Sequence, residues 1–136
     1  MDTCVRIRKK TERDDLYKIE VYADKDGKEP LTEYLTELIA KNDKDSRIKA
    51  NKILQYVNFL EQSGTFIGEP VVKHIDGDIW ELRPAKDRVL FVVMKQGKFL
   101  LLHAFTKKTV KIPKREIEKA KAEYKDYIER GLDKDE

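Results

Sequence analysis

A chain of 136 residues fits one compact domain around one core. With 40% apolar and 40% charged residues it is polar for a globular protein, yet its apolar residues cluster, which argues against a disordered chain. One cysteine, Cys4, excludes a disulfide framework and a cysteine zinc site and points to a reducing cytosol; no apolar run reaches membrane-spanning length, and the first ten residues lack the hydrophobic stretch of a secretory signal.

Residues 1–15 are polar and without periodicity and read as a mobile lead-in to a domain over 16–131, with an acidic tail over 132–136. Tyr17 to Tyr22 alternates with period two, so it reads as a strand ending at the turn Asp24-Lys25-Asp26-Gly27. Pro30 opens a helix whose apolar face is Leu31, Tyr34, Leu35, Leu38 and Ile39. Lys41-Asn42-Asp43 breaks it. Asp45 or Ser46 caps a second helix, with Ile48, Ile53, Leu54, Val57 and Leu60 inward, and Ser63-Gly64 ends that one.

From Val71 the period changes to two. Val71 to Ile75 and Asp78 to Arg83 form a strand pair or one bent strand, followed by strands from Arg88 to Lys95 and from Lys98 to Thr106 around the turn Gln96-Gly97. Pro113 precedes a last helix with the stripe Ile117, Ala120, Tyr124, Tyr127 and Ile128, ending at Gly131. The order strand-helix-helix-strand-strand-strand-helix predicts an α+β fold: a four-stranded antiparallel sheet with helices packed on one face. The other face is then free to carry polar side chains.

The net charge of +3 is unevenly spread. Residues 71–115 carry 11 basic and 4 acidic side chains, whereas 1–70 and 116–136 are each net acidic. A local surplus of this kind suits a polyanion. Alternation puts Glu81 and Arg83 on one face and His103, Phe105 and Lys107 on one face, with Arg88 starting the strand between. Arg83, Arg88, Lys107 and Lys108 thus gather at one sheet edge near Glu81 and His103, an arrangement suited to a phosphodiester that gains charge in a transition state. The competing reading pairs Arg83 and Arg88 with Glu81 and Asp87 as structural ion pairs. By intrinsic pKa His103 is the best acid–base candidate, though an isolated histidine in an apolar strand is more often structural. His74, beside Lys73, is a candidate RNA contact. Two histidines 29 positions apart, with no carboxylates at ligand spacing, make a poor metal site. No phosphate-binding glycine loop or nucleophile elbow is present.

The run Lys73-His74-Ile75, Trp80-Glu81-Leu82-Arg83-Pro84, Arg88-Val89-Leu90-Phe91, Leu101-Leu102-His103-Ala104-Phe105-Thr106-Lys107-Lys108-Thr109, Pro113, Glu116-Ile117 and Ala120 resembles the HigB-like branch of the RelE/ParE type II toxin superfamily. The resemblance implies a phage-derived, RelE-like toxin that cleaves mRNA on the ribosome by 2′-hydroxyl attack, without metal or cofactor. A cognate antitoxin, in this branch a small helix-turn-helix protein, would neutralise it in the cytoplasm. By position it implies a phosphate-binding role for Arg88 and matches Arg83, Lys107 and Lys108 to basic positions of the family. Arg83, Arg88, Lys108 and His103 are thus the catalytic candidates, and Lys73, His74, Lys107, Lys111 and Lys114 the candidate RNA contacts. The tyrosine that the RelE type carries after the last strand is missing here, where Lys111-Ile112-Pro113-Lys114 stands. The proton acceptor is therefore open among His103, Glu81, a lysine, or none at all. Two other readings accompany the nuclease: a non-catalytic binding module on the same fold, and a toxin with another target such as gyrase.

Overall fold

A computed structural model describes residues 16–134. The lead-in expected over 1–15 and the last two residues of the acidic tail lie outside the described residues. The elements are β1 (Lys18–Val21), α1 (Pro30–Ala40), α2 (Lys44–Ser63), β2 (Val72–Asp76), β3 (Ile79–Leu82), β4 (Asp87–Met94), β5 (Lys98–Thr106) and α3 (Lys114–Glu129).

The α+β class holds, but the sheet is five-stranded and mixed, in the order β1-β5-β4-β3-β2. The expected four-stranded antiparallel sheet is corrected on two points. Asp76-Gly77-Asp78 is a true hairpin turn, with Gly77 at φ +57°, so β2 and β3 are separate strands. In addition, β1 lies parallel to β5, with Lys18 opposite Lys98 and Val21 opposite Leu101. These two strands are far apart in the chain, so no hairpin imposes opposed directions on them.

Helices cover both faces, not one. On the first face α1 and α2 bury Leu31, Leu38, Ala50, Ile53 and Leu60 against Leu82, Val89, Phe91, Phe99 and Leu101. On the second, α3 places Ala120 and Tyr127 against Ile79, Leu90, Val92, Leu100 and Leu102. The physical reason is visible in β4 and β5. Val89 to Val92 and Phe99 to Leu102 are all buried, and an unbroken apolar run is the mark of a strand covered on both sides.

Two helix faces are also narrower than the apolar pattern suggests. Ile39, Ile48 and Leu54 are exposed, while Ala50 and Ser46 turn inward. Asp43 caps α2, its side chain accepting from Ser46 N at 2.8 Å, in place of the expected Asp45 or Ser46. This cap holds the Asp43 carboxyl below the ordinary range, first through the Ser46 backbone N–H and then its hydroxyl. Among the described residues, no helix is long and apolar enough to cross a membrane.

Candidate nucleic-acid interface

The strand register builds the site row by row. Lys73 pairs with Glu81, Glu81 with Leu90, and Leu90 with His103. Paired residues share a face, and Leu90 packs in the α3 cluster, so this row lies on the α3 side. Arg88 pairs with Phe105, which packs against the same cluster, and Arg83 lies two residues after Glu81. The start of β2, the end of β3, the start of β4 and the residue after β5 thus bring Lys73, Glu81, Arg83, Arg88 and Lys107 together beyond the apolar part of the α3-side face.

Glu81 is the hub. It is 3% exposed, with Oε2 3.3 Å from Arg83 Nε and Oε1 3.4 Å from Arg88 Nε. The structural ion pairing weighed in the sequence is therefore present for both arginines. Yet neither contact is an aligned hydrogen bond: Glu81 Oε1, Arg83 Nε and Arg88 Nε are buried without one. Burial raises the Glu81 carboxyl above the ordinary range despite the opposing pull of Arg88, Arg83, Lys107 and Lys73. Burial likewise lowers Arg88, against the pull of Glu81. For both groups desolvation exceeds attraction, as expected where ions are taken from water without full hydrogen bonding.

The Arg88 guanidinium is fixed from a second side. Its Nη1 donates to the carbonyls of Ala85 and Asp87, each at 2.8 Å. Ala85 holds φ +59°, a left-handed conformation that costs energy outside glycine. The turn between β3 and β4 thus aims a carbonyl at Arg88. Among the described residues the Nη groups of Arg83 make no hydrogen bond, and that side chain is only partly buried.

His103 is engaged by α3. It is 2% exposed, with Nδ1 2.7 Å from Glu123 Oε1 and Nε2 2.9 Å from Glu116 Oε1. Both carboxylates come from α3, seven residues apart and hence on one helix face. Neither ring nitrogen is left for a substrate in this arrangement. A β-bulge explains its orientation. Leu90 pairs with His103 but Phe91 with Leu101, leaving Leu102 as the extra residue. Simple alternation would group His103 with Leu101, which faces α1 and α2; the bulge turns His103 toward α3.

The other sequence candidates fall in three places. Lys107 closes β5, with its N–H on Lys86 O at 2.8 Å. Lys108, Lys111 and Lys114 are exposed along the connection into α3 and its first residue. His74 pairs with Trp80, which packs against the α1–α2 cluster. It therefore lies on the face opposite Glu81, and its Nε2 donates to Gly77 O at 2.7 Å. The structure does not bring it to the arginines.

A further cluster escaped the sequence. Asp87, 2% exposed, accepts from the Tyr34 hydroxyl at 2.7 Å and from Thr106 Oγ1 at 3.0 Å, with Lys49 Nζ at 3.4 Å. Burial first, and then the bond to Asp87, pushes the Tyr34 hydroxyl up to about 12, although Thr106 opposes this. It ties α1 and α2 to the start of β4, directly behind Arg88. Tyr34 reads as one more apolar-face residue in the sequence, and only its contact across 53 positions reveals the role.

Residues 37–125 match the protein family described as Phage derived protein Gp49-like (DUF891), a family of the RelE-like toxin type. The matched span takes in α2, the whole meander and most of α3. No curated protein matches the chain.

Proposed function

We propose, from the premise that this chain belongs to the Gp49-like family of phage-derived proteins, that it is the toxin of a type II toxin–antitoxin pair and an mRNA endoribonuclease acting on the ribosome. The observation that carries the reading is the convergence of Lys73, Arg83, Arg88 and Lys107 around one buried carboxylate at an open end of the sheet. Four cations around one carboxylate leave a positive excess suited to a phosphodiester.

In this reading the RNA supplies its own nucleophile. The 2′-hydroxyl attacks the adjacent phosphorus, the P–O5′ bond breaks, and a 2′,3′-cyclic phosphate and a 5′-hydroxyl result. The 2′-hydroxyl proton leaves as the oxygen attacks, and one proton is delivered to the departing 5′-oxygen. The chain's contribution is to hold the phosphate and to offset the charge that grows on its non-bridging oxygens, the form of catalysis that preorganised cations perform best. Arg83 and Arg88 do this from the sheet. Lys108, Lys111 and Lys114 extend the positive surface along the entering strand. The cognate antitoxin, a small helix-turn-helix protein, keeps the face from RNA until the toxin is released.

Expression of the chain with and without Arg83→Ala, Arg88→Ala and Lys108→Ala tests this. The wild type is expected to arrest growth and truncate mRNA, seen as new 5′ ends by primer extension, and each variant to do so less. Arrest that persists unchanged in all three would defeat the nuclease reading. A second reading, an RNA-binding module that does not cleave, draws on the double engagement of His103, which removes the best acid–base candidate from the site. RNA binding with intact mRNA identifies it.

A further inference from the structure

We propose that Glu81 is a positioning residue of the phosphate site: its carboxylate grips Arg83 and Arg88 by their Nε atoms and so sets the direction in which their remaining N–H groups meet one phosphate. The inference rests on the reading that a phosphate binds here, and it names the residue that shapes the binding.

The geometry assigns each atom a part. One Glu81 oxygen faces each guanidinium, at 3.3 Å for Arg83 and 3.4 Å for Arg88, and in both cases the partner is Nε. On Arg88, Nη1 is already committed to two carbonyls. Nη2 is left without a partner among the described residues. On Arg83 both Nη groups are free among the described residues. One carboxylate therefore orients up to three free nitrogens without using any of them.

A pair that served stability alone would be expected to satisfy its buried atoms, because an unsatisfied buried ion is costly. Here three buried polar atoms lack an aligned partner. The strained φ of Ala85 that delivers a carbonyl to Arg88 adds to the local cost. The loose geometry around Glu81 leaves both guanidiniums room to adjust when their Nη groups meet a phosphate. An incoming phosphate lets both guanidiniums settle into better geometry while Glu81 keeps them from swinging apart.

The charged groups around Glu81 are Arg83 on its own strand, Arg88 on β4, Lys73 on β2 and Lys107 after β5. Beyond Leu90 in the same row, His103 is engaged by Glu116 and Glu123 of α3. Removing the Glu81 charge makes the site more positive, so attraction for phosphate rises while the arginines lose their orientation. Affinity is then kept or raised while the rate falls, which a loss of folding cannot produce.

The test compares wild type with Glu81→Gln in two assays. One is affinity for a short single-stranded DNA, which has phosphates but no 2′-hydroxyl. The other is single-turnover cleavage of mRNA on bacterial ribosomes. The expected result for the variant is DNA affinity equal or higher and a cleavage rate at least about ten-fold lower, a one-factor step in the transition-state relation. The acid limb of the wild-type rate profile, where Glu81 takes up a proton, is expected to be absent from the variant. Unchanged cleavage, or affinity and rate falling together, overturns the proposal. Should Glu81→Gln fold poorly, NMR of the arginine Nε–Hε groups in the wild type replaces it. Arg83 and Arg88 resonances that shift together as one carboxyl titrates support the grip, and resonances blind to that titration overturn it. A wild type that binds the DNA but never cuts mRNA defeats the nuclease reading, while the NMR result still decides the role of Glu81.

Discussion

His103 Nδ1 lies 2.7 Å from Glu123 Oε1, joining the last strand to the last helix inside the core. Glu123 is itself buried, so removing its partner leaves a buried carboxyl without its hydrogen bond, which is costly. His103→Ala leaves Glu123 without its partner and is expected to lower unfolding free energy by about 3–5 kcal/mol. Glu116→Gln, at the better-exposed end of the clamp, costs less. Urea unfolding of the two variants checks the order, and a His103→Ala loss under about 1 kcal/mol would show that α3 docks without the clamp.

Arg88 and Arg83 share one carboxylate but differ in burial, and that difference separates their variants. Arg88 is 8% exposed and anchored at two carbonyls as well as near Glu81. Arg88→Ala is therefore expected to cost roughly 3–5 kcal/mol in stability as well as cleavage. Arg83, whose Nη groups reach no partner among the described residues, is expected to lose cleavage with a stability change within about 1 kcal/mol. Paired measurements of melting and mRNA truncation separate the two, and equal destabilisation by both would contradict this division.

Much of this site was legible in the sequence, and the part that was not has identifiable causes. Alternation placed Glu81 with Arg83, and charge counting placed the basic surplus between residues 71 and 115. What alternation cannot reveal is a bulge, and a single extra residue at Leu102 was enough to carry His103 from candidate acid–base group to helix anchor. The fully apolar runs of β4 and β5 are the sequence signal of a sheet covered on both faces, and they outweigh the alternation of the shorter strands. Asp87 and Tyr34 are 53 residues apart, and no local pattern joins them.

The raised carboxyl of Glu81 makes a pH prediction whose sign is fixed. A group with its folded pKa above the unfolded value binds its proton more readily in the folded state. Its contribution to stability is fully present below the ordinary carboxylate range and is lost as pH rises through the folded value. Wild-type stability therefore declines with rising pH across that window, in a component that Glu81→Gln lacks. Unfolding free energies of both proteins at several pH values from acid to neutral measure this. Parallel curves would mean that Glu81 titrates as it does in the unfolded chain.

Gly64 ends α2 at φ +62°, and a Cβ built there comes within 2.7 Å of the Tyr17 ring. Tyr17 cannot yield freely, because its ring packs on Phe99 with centroids 5.2 Å apart. Gly64→Ala thus combines an unfavourable backbone conformation with overpacking and is expected to cost about 1–3 kcal/mol. Thermal unfolding checks it. No change in melting temperature would mean that the Tyr17 ring shifts at little cost.

The lysines after β5 are expected to act through number and not through geometry. Lys108 and Lys111 are exposed, as is Lys114 at the start of α3. None of the three has an ion-pair partner among the described residues. A solvated cation that meets a phosphate releases a counterion, so its removal weakens binding of every sequence alike and flattens the salt dependence. For single-stranded nucleic acid the slope of log affinity against log salt is expected to fall by about 0.7 for each lysine replaced by alanine. Arg83→Ala is expected to share that loss of slope and, on the proposed nuclease reading, to lose cleavage at saturating RNA as well. Titrations at several salt concentrations with single and triple lysine variants distinguish the classes. A triple variant with an unaltered slope would place the RNA path away from the β5–α3 connection and confine it to the sheet end around Arg83.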